Sequence, residues 1–296
     1  MCDIAQTLTR GGHTIVSHGP SMFPIMTFAL VMGTAALLPI AASADGLEAA
    51  QGEYYNARYE SAARLTLAPC ADDVNGLAAC ELRTAALLFQ IKAALGPQED
   101  RDRAWKDCSA CADLLSAFKV ALARGQTLAR ARILAYPDDD EALFLLGKLD
   151  LNYVWLQLGT LGHRTGWDEY WEGRRALDTV LSRQPTHVRA RVARGWIDYI
   201  VATKMRRGTR WLLGGGNKKR GMLAIREAAG AEADFFTRTE ARFALWDIQV
   251  RERDTPGALV TADLLIRDFP HNHEVRRFIE THRSSRETAG TPPARE

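Results

Sequence analysis

The chain is poor in strand signals. No run of alternating β-branched residues stands out in its 296 residues, so a sheet-based fold is not expected. It also lacks a charge excess. Thirty-eight lysines and arginines meet 36 acids for a net +2, which excludes a strongly basic nucleic-acid binder. It lacks the short catalytic signatures. There is no His-Glu-x-x-His and no Gly-x-Ser-x-Gly, and His163, His187, His271, His273 and His282 are scattered. The turn Gly214-Gly215-Gly216 is not followed by Gly-Lys-Ser/Thr and no parallel strand precedes it, so it is no nucleotide loop. No histidine follows Cys108-x-x-Cys111, which excludes covalent haem attachment. The same pair lacks the strand-helix setting of a thioredoxin-type redox centre, and Cys70 and Cys80 are too far apart for a zinc knuckle. No metal or cofactor is expected, and nothing here supports an enzyme.

What remains is a folded body, with 47% apolar and 25% charged residues. Residues 24–42 carry no charge, and Ala42-Ser43-Ala44 then fits a small-x-small cleavage pattern that would leave Asp45 first. The basic n-region is thin, with only the distant Arg10 ahead of the run, and Met22 or Met26 are alternative starts. An uncleaved N-terminal membrane anchor is the competing reading, although Pro24 and Pro39 interrupt a run barely long enough to span. No cysteine stands at the cleavage point, which argues against lipid modification. Beyond residue 44 four cysteines remain, and an even count in an exported chain favours disulfides. Sequence proximity favours Cys70–Cys80 and Cys108–Cys111 among the three possible pairings. The second pair requires a helix terminus or turn, because Cβ atoms at i and i+3 inside a helix lie ~5–6 Å apart against ~3.8 Å in a disulfide.

The middle of the chain repeats. Gly125, Gly173 and Gly221 are spaced by 48 residues, and Ala258 follows 37 later. Pro137, Pro185 and Pro270 stand twelve residues after three of these, with Ala233 in the other copy. Gly147, Gly195 and Ala244 recur 22 or 23 residues after the three glycines. A period of this size predicts stacked helical hairpins. The small residues would sit where antiparallel helices cross at ~8–10 Å, and the prolines would stop the second helices. Helices are predicted over 78–95, 111–135 (bent near Gly125), 140–158, 166–183, 187–204, 218–229, 236–252, 256–268 and 272–284, after a first hairpin in 47–68 that ends before Pro69. Gly159–Arg164 and residues 205–216 are expected to be loops. Thr165 with Asp168 suggests a capping box, and Asn217 a cap. The division is an export segment at 1–44, a helical body at 45–284 and a disordered tail at 285–296.

Ala258-Leu-Val-Thr-Ala262-Asp-Leu-Leu265-Ile-Arg-Asp-Phe-Pro270-His-Asn272 is close to a tetratricopeptide-repeat second helix with its exit, and Tyr59-Glu60-Ser61-Ala62 resembles the start of one. The chain is similar to that family over about 47–283, most firmly over 125–272. The resemblance implies an all-α, right-handed α-α superhelix that binds a protein or peptide in its groove. Two copies here exceed the usual period of about 34 residues, glycine replaces alanine, and most aromatic signature positions are missing, so groove specificity does not carry over.

The excess falls mainly between the two helices of each hairpin. Insertions at equivalent positions emerge on one edge, which would bring together His163, Arg164, Trp167, Arg206, Arg207, Arg210, Trp211 and Lys218. Cations, indoles and a glycine turn suit a carboxylate, a phosphate or an anionic lipid head. The alternative is a solvated basic edge with Trp167 and Trp211 as covers of the core. Asp150, Asp198 and Asp247 also recur, either lining a concave face or pairing with Arg174, Arg175, Arg191 and Arg194. The expected protein is a non-enzymatic binding or scaffold protein, exported to the periplasm or secreted. A ligand-binding component serving an envelope transporter is the alternative. N-terminal sequencing of the exported chain is expected to begin at Asp45; a start upstream of the apolar run would favour the anchor.

Overall fold

A computed structural model describes residues 42–72, 76–96, 100–163, 165–205 and 207–289. The apolar run up to residue 41, Arg164, Arg206 and the segment from 290 lie outside the described residues. Among the described residues there are thirteen α-helices and no strand. They are α1 (Ala42–Tyr55), α2 (Tyr59–Leu65), α3 (Leu67–Ala71), α4 (Gly76–Leu95), α5 (Arg101–Asp107), α6 (Cys111–Ala135) and α7 (Asp140–Val154). After them come α8 (Trp167–Arg183), α9 (Val188–Lys204), α10 (Lys218–Ala229), α11 (Phe235–Arg251), α12 (Thr255–Asp268) and α13 (His273–Ala289). A π-helical segment, Trp155–Leu161, continues α7, and a 3-10 turn, Arg207–Leu213, lies between α9 and α10. None of the described helices is long and apolar enough to cross a membrane.

Local chemistry sets the helix ends. Asp139, Asn217, Asp234 and Asp254 each accept a backbone N–H three residues on, satisfying one of the donors that a helix start leaves open. The prolines act one residue ahead of themselves. Tyr136, Gln184 and Phe269 precede Pro137, Pro185 and Pro270, and all three leave the helical region with φ near −130° and ψ of 72–86°. A residue before proline is pushed there by contact with the proline ring. Each still donates its own N–H back into the last turn, at 2.7–2.8 Å. In the copy with Ala233 the helix stops earlier, at Ala229 with Gly230 as its cap.

Sequential hairpins form by packing α4 on α6, α7 on α8, α9 on α10 and α11 on α12. The recurring small residues lie where these pairs cross. A Cβ on Gly147 would stand 3.1 Å from the Gly173 carbonyl oxygen, and one on Gly221 only 2.5 Å from that of Gly195. The backbones therefore touch, and Leu177 and Ile225 close around the contacts, fully buried. Burial of each such side chain contributes ~1.5–3 kcal/mol. The crossing partners are 26 residues apart in α7–α8 and in α9–α10 and 14 apart in α11–α12, where Ala244 and Ala258 take their place. The twelve-residue difference is the π-helical segment with its exit in one case and the 3-10 turn with the glycines in the other.

One buried ion cluster joins the first helices of four hairpins. Lys148 Nζ on α7 lies 2.6 Å from Glu240 on α11 and 3.7 Å from Glu81 on α4. Arg189 on α9 completes it, 2.7 Å from Glu240 and 3.8 Å from Glu81, with its guanidinium 4.6 Å from the Phe144 ring centroid. Burial works against the Glu240 charge, but Lys148 and Arg189 outweigh it and hold the carboxyl at about 2. Beside this cluster the turn between α1 and α2 reaches across to the far end of the chain. The Tyr55 ring packs 5.3–6.2 Å from Phe243, Phe269 and Phe236. Asn272 Nδ2 donates to the Tyr55 carbonyl at 2.7 Å, and the His271 N–H donates to Asn56 Oδ1. The first and last hairpins thus meet.

Several expectations change. α6 is one unbroken helix through Gly125, because that glycine serves close packing against Cys80 and Leu149. Pro69 lies inside α3, within its first turn, where a missing N–H costs nothing. Residues 159–161 and 207–213 are helical turns and not loops. Gly166 in the left-handed region, with no side-chain cap, precedes α8 in place of a Thr165 box. Helix α13 runs to Ala289, past the expected start of a disordered tail at Ser285. Both favoured disulfides are present, Cys70–Cys80 and Cys108–Cys111. The second spans the junction from the cap of α5 to the first residue of α6, the terminus that its geometry required. They are compatible with an oxidising, exported location.

Gly221→Ala is expected to destabilise by ~1–3 kcal/mol or more in urea unfolding, because the methyl meets a backbone carbonyl that cannot step aside. Gly52→Ala in α1, with no atom within 4 Å of the new methyl, is expected to stabilise by ~0.5–1 kcal/mol. Equal effects at the two positions would rule out the packing account.

Candidate binding site

The candidate residues of the two insertions go to different partners. Lys218 opens α10 and pairs with Glu252 at 2.5 Å. Arg210 donates Nε to the Met205 carbonyl at 3.1 Å. His163 follows the π-helical segment, its ring Nδ1 lying 3.1 Å from Gln157 Oε1. Trp167 opens α8, partly exposed. Trp211 is 73% exposed and covers no core. Arg207 lies in the 3-10 turn, while Arg164 and Arg206 fall outside the described residues. Arg210 and Trp211 thus share the 3-10 edge, whereas His163 faces a separate recess and Lys218 is engaged with α11's end.

The glycine turn is explained by packing. Arg174 is buried and donates to the Leu213 carbonyl at 2.5 Å and to the Gly214 carbonyl at 3.0 Å, and the Tyr170 hydroxyl adds a bond to Leu213 at 2.9 Å. Gly214 and Gly215 have φ near +70°, a region that β-carbons disfavour. Gly216 lies so close to α9 that a Cβ would stand 2.6 Å from the Ala202 nitrogen.

Two recesses lie elsewhere. The larger, about 530 Å³, is an open groove across α6, α7 and α8. Ile133, Leu143, Leu146 and Ala176 supply apolar lining, with Arg130, Glu172 and Arg175 around them. Leu134, 85% exposed, lines it too, and Tyr136, 69% exposed, follows just beyond the end of α6. Arg130 and Glu172 bind each other through two hydrogen bonds, at 2.5 and 3.1 Å. The smaller recess, about 420 Å³, lies beside the disulfide-closed turn. Leu95, Trp105, Leu115 and Leu161 line it, with Arg101, Lys106, His163 and one acid, Asp102. Among the described residues no group of three His, Cys, Asp or Glu is placed to hold a metal.

The recurring aspartates diverge. Asp198 accepts from Arg220 at 2.8 Å and pairs with Arg194 at 2.8 Å. Burial acts to raise its carboxyl, but the hydrogen bonds from the two arginines outweigh it and hold it below the usual range. Asp247 pairs with Arg251 on its own helix. Asp150 is fully buried, and its Oδ1 accepts from Gln126 Nε2 at 2.7 Å. The position matching Arg220, 48 residues earlier, is Glu172, so an acid stands where Asp198 has an arginine. Burial, with a further push from Glu172, raises the Asp150 carboxyl to about 8, and Oδ2 has no hydrogen-bond partner among the described residues. Of the arginines expected to serve these acids, only Arg194 does. Arg174 holds the glycine turn, Arg191 bonds Glu227, and Arg175 lines the groove. Periodicity could locate these aspartates but could not identify their neighbours.

Between about pH 4 and pH 8 folded Asp150 keeps a proton that the unfolded chain has released, so stability falls as pH rises through that window and levels off above it. Asp150→Asn is expected to flatten this slope and to melt above the wild type at pH 8, with the gap closing toward pH 4. Thermal melts across that range check it, and an unchanged slope would count against a protonated Asp150. No protein-family model, curated protein or solved structure matches the chain, and nothing about its role carries over from a relative.

Proposed function

We propose that this is a non-enzymatic binding protein of the cell envelope that holds a protein or peptide partner. The proposed architecture is a tetratricopeptide-like, right-handed superhelix of hairpins whose first and last members touch. The observation that carries the reading is the open groove on α6, α7 and α8 with Leu134 and Tyr136 exposed beside it. Apolar side chains in the middle with an arginine-rich margin match the make-up of a protein interface. The α1–α2 turn, with Tyr55 seated among Phe236, Phe243 and Phe269 beside the ion cluster, occupies the surface where the first helices meet. That filling favours docking on the α6–α8 side. The two disulfides support export to the periplasm or the medium.

One observation favours a second reading, a ligand-binding component working with an envelope transporter. The smaller recess has the size of a small-molecule pocket, with Trp105 in its lining and Arg101, Lys106 and His163 available to an anionic group.

A photo-crosslinking side chain at position 134 is expected to give discrete protein adducts in an envelope extract, and one at the exposed position 67 to give none. Equal labelling from both positions, or none from 134, would defeat the groove reading. A small molecule retained in native mass spectrometry and lost on Trp105→Ala would favour the second.

A further inference from the structure

We propose that the Arg207–Leu213 turn is a membrane-docking edge, which rests on an anionic lipid surface with Trp211 and Leu212 entering the headgroup region. These neighbours are 73% and 52% exposed, while Leu213 beside them is buried. The display is built, because Arg174 and Tyr170 pin the Leu213 and Gly214 carbonyls from below. Gly216 fixes the exit of the turn against α9. An anchor of this kind holds the pair outward and leaves little ordering cost for a contact.

The charge around the pair selects the surface. From residue 204 to residue 220 the chain has seven cations and no acid. Lys218 and Arg220 are paired with Glu252 and Asp198. Lys204 and Lys219 are exposed and have no ion pair among the described residues, and Arg210 makes only its backbone bond there. Indole and aliphatic side chains enter the lipid interface while lysine and arginine meet anionic headgroups. Trp211 and Leu212 line neither recess. A projecting apolar pair with cations nearby suits a broad anionic surface better than a peptide, which needs a groove. This inference is independent of the α6–α8 groove.

Full-length protein is sedimented with vesicles of neutral phosphatidylcholine, or with vesicles containing an equal part of phosphatidylglycerol, at low and moderate salt. The apolar N-terminal run is common to every variant, so differences report the edge. The wild type is expected to prefer anionic vesicles by about tenfold or more, less so as salt rises. Trp211→Ser/Leu212→Ser is expected to lose most of the binding to anionic vesicles without changing the thermal melt. Lys204→Glu/Lys219→Glu, a second variant at exposed positions, is expected to weaken anionic binding by at least about fivefold for each cation removed. Equal binding of both vesicle types by the wild type would overturn the proposal. So would undiminished binding of anionic vesicles by the Trp211→Ser/Leu212→Ser variant, whatever the lysine variant does, because binding would then be charge attraction without the edge.

Discussion

Two acids and two cations from α4, α7, α9 and α11 meet in one buried cluster, and the relative placement of four hairpins depends on it. Glu240 touches both Lys148 and Arg189 at close range, so a shift of any one helix leaves a charge buried without its counter-ion. Such a loss costs about 3–5 kcal/mol, while an intact buried pair adds little net stability over apolar packing. The cluster therefore does more to specify register than to add stability. The two cations keep about a fifth of their side-chain surface, 20% and 22%, which moderates the desolvation cost.

Within each hairpin the constraint is steric. Contact of two backbones leaves a methyl tightly crowded at Gly147–Gly173 and without room on Gly221 at Gly195–Gly221, and the crossing is made by these residues alone. The crossing does not depend on the length of the connection, so twelve extra residues are accommodated without disturbing the pair. The two insertions went to different uses. One continues α7 as a π-helical segment and ends at His163 by the smaller recess. The other is pinned by Arg174 and shows Trp211 to solvent.

Much of the framework was legible in the chain. The 48-residue spacing located the crossings, Pro137, Pro185 and Pro270 located the stops within two residues, and cysteine spacing pointed to both disulfides. These features are local or periodic, and local sterics act wherever the residue stands. The candidate site was less legible. Periodicity suggested that the two insertions share an edge, but side chains choose partners by distance, so Lys218 turned to Glu252 and His163 to Gln157. The groove on α6, α7 and α8 leaves no motif, since its lining residues are ordinary helix positions brought together from three segments.

The sequence by itself determined that the chain is helical, where its hairpins cross, and which cysteines pair, because each of these follows from a residue's own backbone preference or from near neighbours. Only the tertiary structure decided that Asp150 lacks the arginine given to Asp198, that Glu81 and Glu240 share Lys148 and Arg189, and that Tyr55 meets Phe236, Phe243 and Phe269. Those contacts join positions up to 214 residues apart. Their energies depend on burial and on the neighbouring charges, which exist only once the helices have packed.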